Sequence, residues 1–133
     1  MSKLLRVDDH AETRETLTLT LGRQAFDVRW AGTGEEACAL AFAEPPDVIL
    51  LDIAMPGMDG IEVCHRLRAR ETTARVPIVI ITAMPLPDLR DLCVAAGATA
   101  FLQKPFSPRE LIQLIDGLLA GSGRPDGERQ GTD

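Results

Sequence analysis

Residues 47–60 read Asp-Val-Ile-Leu-Leu-Asp-Ile-Ala-Met-Pro-Gly-Met-Asp-Gly. Val48 to Leu51 form an unbroken apolar run behind Pro45 and Pro46, which is typical of a strand buried on both faces of a parallel sheet. The first charge after this run is Asp52. In an open α/β sheet, ligands bind outside the carboxyl ends of the strands. Asp52 is therefore either a residue of a functional site or a turn residue or helix cap. The second role is the more common one for a lone Asp after a strand.

The composition indicates one folded domain without a membrane segment. The chain has 133 residues, of which 45% are hydrophobic, so it can bury a single substantial core. Its formal net charge of -6 argues against nucleic acid as a direct partner, because phosphate backbones require a basic surface. No apolar run approaches the roughly 20 residues of a membrane helix, and the N-terminus lacks a signal peptide. We therefore expect a cytoplasmic protein.

Three cysteines, widely separated and outside any Cys-x-x-Cys spacing, are predicted to be reduced core residues: Cys38, Cys64 and Cys93. Residues 1–120 are predicted to form the domain. Residues 121–133 are rich in Gly and polar side chains and cannot bury a core, so they are predicted to be a disordered tail or the start of a linker.

Strand-like and helix-like segments alternate along the chain, a pattern that predicts βαβ units and a parallel sheet covered by helices. The predicted strands are Leu4–Val7, Phe26–Trp30, Val48–Leu51, Val76–Ile81 and Ala98–Gln103. The predicted helices run from about Ala11 to Arg23, from Thr33 to Pro45, from Asp59 through Leu67, from Asp88 to Ala96 and from Ser107 to Ala120. Thr33 with Glu36 and Ser107 with Glu110 have the spacing of a capping box at a helix start. Arg6 interrupts the first strand, so its side chain must reach either solvent or a carboxylate.

Polar side chains follow four of the predicted strands: Asp8 and Asp9, Asp52, Thr82, and Lys104. A parallel sheet would bring these groups to one edge. Clustered carboxylates raise one another's pKa unless a cation relieves them, and hard oxygen ligands suit Mg²⁺. Such a metal, together with Lys104, could neutralise the oxygens of a phosphoryl group. Asp52 lies centrally and is placed to act as a carboxylate nucleophile.

The order and spacing of these residues resemble the receiver domain of two-component response regulators, the CheY-like family. The resemblance extends from about Leu4 to Leu119 and includes the segments 55–60, Thr82-Ala83 and Lys104-Pro105-Phe106. It implies an α/β, flavodoxin-like fold: a doubly wound five-stranded parallel sheet in the order 2-1-3-4-5 with five helices. It also implies a signalling domain that is not an enzyme, beyond assisting its own phosphorylation and dephosphorylation.

The resemblance further implies that Asp52 accepts a phosphoryl group from a sensor histidine kinase or a histidine phosphotransfer protein. Mg²⁺ would be held directly by Asp9 and Asp52, mainly through water by Asp8, and by the backbone carbonyl of Ala54. Lys104 would pair with the phosphoryl group after the transfer.

A switch is part of the same resemblance. Thr82, which Ala83 follows, would move to hydrogen-bond the phosphoryl group, and Phe101 would be the aromatic switch residue. Lys104 and Pro105 would be joined by a cis peptide, which an X-Pro bond permits. The fourth helix, the last strand and the fifth helix would then present a changed surface to an output protein or to a second copy.

Some residues depart from the family pattern. Ala25 stands where the family often has Gly, and residues 84–87 read Met-Pro-Leu-Pro, which predicts an unusually proline-rich loop before the fourth helix. Ala54 and Met84 flank the expected site without a side chain that could position an attacking water. The lifetime of a phosphoryl group is therefore not predicted.

Three other functions compete with the receiver. A phosphatase of the haloacid dehalogenase type resembles Asp-x-Asp, but the second position here is Ala54. A flavodoxin-like carrier needs a phosphate-binding loop after the first strand, where Asp8 and Asp9 would repel the flavin phosphate. An adaptor that never takes up phosphate, a pseudo-receiver, is the more serious alternative.

Overall fold

The computed structural model describes residues 2–8, 26–53, 60–83, 86–104 and 106–121. These residues include five strands: β1 (Ser2–Val7), β2 (Phe26–Ala31), β3 (Val48–Asp52), β4 (Ile78–Thr82) and β5 (Ala100–Gln103). All paired strands are parallel, and their order in the sheet is β2-β1-β3-β4-β5. The predicted strand order is confirmed.

Four helices lie in the described part of the chain: α1 (Gly34–Ala43), α2 (Gly60–Arg68), α3 (Leu86–Ala96) and α4 (Pro108–Gly121). Five helices were expected. The remaining one, predicted from about Ala11 to Arg23, lies outside the described residues, as does the departure at Ala25. None of the described helices is long and apolar enough to cross a membrane.

The helices cover both faces of the sheet, as in a doubly wound fold. On one face, α1, α2 and α3 contribute buried side chains to the larger core cluster: Ala37, Cys38, Ala41, Val63, Cys64, Leu67, Cys93 and Ala96. On the other face, Leu111 and Ile115 of α4 pack against side chains of β1, β3 and β4. Trp30 packs beside this second cluster. The centre of the sheet is therefore buried between two apolar layers, which explains the unbroken apolar runs of β3 and β4.

Two helix starts follow the predicted capping boxes. In α4, the Ser107 hydroxyl accepts from the Glu110 amide at 3.1 Å, and the Glu110 carboxylate accepts from the Ser107 amide at 3.0 Å. In α1, Thr33 accepts from the Glu36 amide at 3.1 Å, but the Glu36 carboxylate accepts from Gly32 and not from Thr33. At both helix starts, these side chains accept hydrogen bonds from backbone amides that have no acceptor within the helix.

Several predicted boundaries are wrong. β1 begins at Ser2 and not at Leu4, and β4 begins at Ile78 and not at Val76. Leu86 and Pro87 were assigned to a loop but belong to α3, because proline is tolerated in the first turn of a helix, where its missing amide and fixed φ cost little. β5 begins at Ala100 and not at Ala98. Gly97 has a φ of 104°, and the Ala98 amide donates to the Cys93 carbonyl, so these residues end α3.

The three cysteines are free and buried, as predicted. Burial raises the pKa of the Cys64 thiol to about 12 and also raises the pKa of the thiols of Cys38 and Cys93. A thiol with a raised pKa is protonated at neutral pH and therefore reacts slowly.

We predict that Cys64 resists alkylation by iodoacetamide at pH 8 in the native protein. Its thiolate fraction should be on the order of a thousandfold lower than that of an unperturbed cysteine. Mass spectrometry of peptides after timed labelling, with and without urea, measures this difference. Equal labelling rates of Cys64 in native and unfolded protein would contradict its burial.

Candidate functional site

The carboxyl ends of the strands form one edge of the sheet, here called the carboxyl edge and defined by Asp8, Asp52, Thr82 and Lys104. Strand pairing extends to this edge, where Asp52 lies opposite Ile81. Beyond the last residue of β5, the Lys104 amide donates to the Thr82 carbonyl at 2.8 Å. The strand ends that carry Asp8, Asp52, Thr82 and Lys104 therefore lie at one edge of the sheet.

Asp52 and Lys104 form an ion pair at the carboxyl edge. Lys104 Nζ lies 2.9 Å from Asp52 Oδ2. The Asp52 side chain is only 5% exposed, whereas that of Lys104 is 29% exposed. The Asp52 carboxylate is thus buried beside a cation that is itself partly exposed to solvent.

Arg6 and Asp8 form a second ion pair, which is fully buried. Arg6 Nη2 donates to Asp8 Oδ2 at 2.6 Å, and Nη1 donates to the carbonyls of Val7 at 3.2 Å and Leu50 at 3.4 Å. The prediction that Arg6 must reach either solvent or a carboxylate is confirmed, because its guanidinium binds the Asp8 carboxylate. The side chains of Arg6 and Asp8 lie on the same face of β1 because side chains alternate with period two along a strand.

The charge of Arg6 acts on both carboxylates. Burial lowers the pKa of the Arg6 guanidinium, while first Asp8 and then Asp52 oppose this change. An arginine nevertheless remains charged at neutral pH. The sequence suggested repelling carboxylates that await a metal. The structure instead gives Asp8 and Asp52 a cation each from within the chain.

Sequence reasoning missed this role of Arg6. The available signal was a charged residue within an apolar strand. It lies two residues before a carboxylate and therefore on the same face of the strand. It identified Arg6 as an anomaly of the strand but did not connect it with the predicted site.

The predicted switch residues lie on neighbouring strands. Thr82 is buried. Because it lies two residues after Ile80 in β4, its side chain is on the same sheet face as that of Ile80, the face against which Phe101 packs. Ile80 and Phe101 are paired in the β4–β5 register. Phe101 is half-buried, and the Arg90 guanidinium carbon of α3 lies 5.3 Å from the centre of its ring, within cation–π range. Ala83 is exposed at the edge.

Three predicted site residues lie outside the described residues: Asp9, Ala54 and Pro105. The described donors, Asp8 and Asp52, offer carboxylate oxygens, which is the ligand chemistry that Mg²⁺ prefers. No group of three potential metal-ligating side chains occurs within the described ranges. The carboxylate oxygens of Asp8 and Asp52 therefore fit Mg²⁺ chemically.

Gly60 fixes the point at which α2 begins against the end of β3. Its amide donates to the Ile53 carbonyl at 3.2 Å. A Cβ at this position would lie 2.8 Å from the Ile53 Cα and 3.2 Å from the Asp52 carbonyl oxygen. The close approach of two backbone segments next to Asp52 therefore requires glycine at position 60.

A five-stranded parallel sheet of this order, with carboxylates and a lysine at its carboxyl edge, defines a class of signalling domain. Residues 4–116 match the response regulator receiver domain family, and the chain belongs to this family. Receiver domains act as phosphorelay components of two-component systems, and the predicted family is therefore confirmed.

Curated relatives support the same assignment. The chain is 40% identical over 118 residues to the transcriptional regulatory protein ResD of Bacillus subtilis, covering 89% of this chain and 48% of ResD. It is 36% identical over 125 residues to the phosphate regulon transcriptional regulatory protein PhoB of Pseudomonas aeruginosa, covering 94% of this chain and 55% of PhoB. The chain thus spans about half the length of these relatives.

Solved structures are similar over most of their length. A putative response regulator from Chloroflexus aurantiacus has a TM-score of 0.84 at 36% identity, covering 90% of this chain and 98% of that one. The receiver domain of the sensor histidine kinase PA1611 from P. aeruginosa has a TM-score of 0.83 at 29% identity, with the same shares covered. The latter structure has a magnesium ion coordinated in its active-site cleft.

We predict opposite effects for two Gly→Ala substitutions. Gly60→Ala should lower the free energy of unfolding by about 1–3 kcal/mol, because the new methyl group overlaps the backbone beside Asp52. Gly117→Ala should raise it by about 0.5–1 kcal/mol, since nothing lies within 4 Å of the added Cβ in α4 and Ala favours a helix. Urea denaturation of both variants measures the effects. A Gly60→Ala variant as stable as the wild type would contradict the close contact.

Proposed function

We propose that this chain accepts a phosphoryl group on Asp52 from a sensor histidine kinase or a histidine phosphotransfer protein, in a Mg²⁺-dependent reaction. The observation that carries this proposal is the buried Asp52 carboxylate at the carboxyl edge, with Lys104 Nζ 2.9 Å away. Membership of the receiver family and the magnesium in the cleft of the PA1611 receiver domain support it.

Asp52 is the nucleophile of the proposed reaction. An oxygen of its carboxylate forms a bond to phosphorus, while the bond between phosphorus and the donor's histidine nitrogen breaks and the nitrogen keeps the electron pair. When bound, Mg²⁺ neutralises negative charge on the phosphoryl oxygens. Lys104, whose side chain is 29% exposed, would move from Asp52 Oδ2 to a phosphoryl oxygen, which keeps the added charge compensated.

Asp9 and Asp52 are the proposed direct metal ligands, with Ala54 contributing its carbonyl oxygen and Asp8 acting mainly through water. These assignments extend the resemblance of the sequence to the site. They agree with the position of Asp52 and Asp8 at the carboxyl edge.

The signal is proposed to pass from the phosphoryl group through Thr82 to Phe101. A hydrogen bond from Thr82 to the phosphoryl group would draw this residue away from the face on which Phe101 packs. A half-buried aromatic ring next to the vacated space is suited to two alternative positions. The surface of α3, β5 and α4 would change with it. Two large apolar side chains of α3 are exposed to solvent, Leu92 at 57% and Val94 at 54%.

The proposed partners are a histidine kinase, which would supply the phosphoryl group, and an output protein or a second copy of this chain, which would bind the changed surface. ResD and PhoB are transcriptional regulators by name. That this domain itself does not bind nucleic acid stays a prediction from its net charge of -6. A cytoplasmic location, a domain that ends near residue 120 and a tail over residues 121–133 stay predictions as well.

We predict that acetyl phosphate with Mg²⁺ adds one phosphoryl group to the wild type and none to Asp52→Asn. The amide is not a nucleophile under these conditions, while its similar shape preserves the fold. Asp116→Asn, which changes an exposed carboxylate of α4, is the matched control and should be labelled like the wild type. Intact mass spectrometry and circular dichroism measure the two properties.

An unlabelled wild type that is properly folded would favour the phosphorylation-independent adaptor. Labelling of Asp52→Asn to the level of the wild type would show that another residue takes the phosphoryl group. Either result contradicts the proposed function.

We also predict that Arg90→Ala weakens the effect of a phosphoryl group on Asp52 on the surface formed by α3, β5 and α4. Arg90 holds the Phe101 ring through a contact worth about 0.5–1 kcal/mol, so its loss should change the balance of ring positions a few-fold. Hydrogen exchange with and without beryllofluoride, a phosphoryl mimic, should show a smaller difference across β4 and β5 than in the wild type. Arg109→Ala on α4 serves as the control. Equal exchange differences in Arg90→Ala and the wild type would exclude this role.

A further inference from the structure

Arg6 lies at an unusual place for an arginine. It is fully buried within β1, on the sheet face that carries Leu4, Leu50 and the side chains of α4. Its guanidinium donates to Asp8 and to two backbone carbonyls, whereas its Nε atom has no hydrogen-bond partner in the part of the chain that the structure describes. A charge held in this way is fixed in place, because its planar group is tied at three points.

The position of the Arg6 charge affects the binding of Mg²⁺ at the carboxyl edge. Arg6 is in direct contact with Asp8 and interacts electrostatically with Asp52, and both of these carboxylates belong to the proposed magnesium site. A cation that enters this site must approach a fixed positive charge and share Asp8 with it. In a pocket of low dielectric constant, such repulsion is substantial.

We propose that Arg6 is a built-in counter-charge that replaces part of the role of Mg²⁺ at the carboxyl edge. It stabilises the metal-free site by compensating Asp8, and it lowers the affinity of the site for Mg²⁺. The site of this chain therefore takes up Mg²⁺ only at higher concentration than it would without the guanidinium. Arg6 acts here through Asp8 as a positioning residue and not as a catalytic residue.

This inference rests on the proposed function for the identity of the metal, but it is tested without phosphorylation. Calorimetric titration with MgCl₂ compares the wild type with Arg6→Met and Arg6→Gln, which remove the charge. Both variants should bind Mg²⁺ about tenfold more tightly or better, because one repelling charge is gone. Their melting temperatures should rise by about 5 °C or more on addition of Mg²⁺, while that of the wild type rises less.

Two further variants separate the local effect from general changes. Arg6→Lys keeps the charge and loses the planar fork, so its Mg²⁺ affinity should stay within about threefold of the wild type. Arg29→Gln removes an exposed arginine of β2 and should leave the affinity unchanged. It controls for the change in net charge.

Unchanged or weaker Mg²⁺ binding in both neutral Arg6 variants would overturn the inference. So would neutral variants that fail to fold even in saturating Mg²⁺, since the metal is expected to take over the compensation of Asp8. The proposed function fails on a different result, namely an Asp52 that acetyl phosphate leaves unmodified. The two failures are therefore distinguishable.

Discussion

The pairing of two buried carboxylates with two cations of the same chain is the interaction on which the carboxyl edge depends. Asp8 is compensated by Arg6 and Asp52 by Lys104. Removing one partner of a fully buried pair, as in the case of Arg6 and Asp8, typically costs about 3–5 kcal/mol, because a charge is left uncompensated away from water. The strands can end in carboxylates inside an apolar sheet because these cations are present.

The two pairs differ in a way that suits different tasks. Arg6 is enclosed and tied to backbone carbonyls of β1 and β3, so it provides a permanent charge. Lys104 is partly exposed and donates to Asp52 Oδ2 at 2.9 Å, and in the proposed reaction it would transfer from Asp52 to the incoming phosphoryl group. In the proposed function, Arg6 would maintain the site between signals, while Lys104 would respond to phosphorylation.

Much of the fold followed from patterns within single segments. Apolar runs ending in a charge identified the strands, and capping residues such as Ser107 and Glu110 identified helix starts. The parallel sheet then brought the strand ends together. The boundary of α3 was missed because Pro87 reads as a loop residue unless one knows that the first turn of a helix accommodates it.

The contacts at the site could not be read in the same way. The partner of Arg6 depends on the register that places the Leu50 carbonyl beside β1, and the need for glycine at position 60 depends on the approach of α2 to Ile53. Both are properties of packing between segments. A sequence pattern shows that such residues are unusual, whereas the assembled sheet shows what they contact.

A crystal structure of the protein with Mg²⁺ and beryllofluoride would test the account most directly. We expect beryllium bonded to an Asp52 carboxylate oxygen, Lys104 Nζ moved from Asp52 Oδ2 to a fluorine, and Arg6 still paired with Asp8. A complex in which Asp52 carries no beryllofluoride, or in which Lys104 stays on Asp52 while Arg6 leaves Asp8, would contradict the division of roles between the two cations.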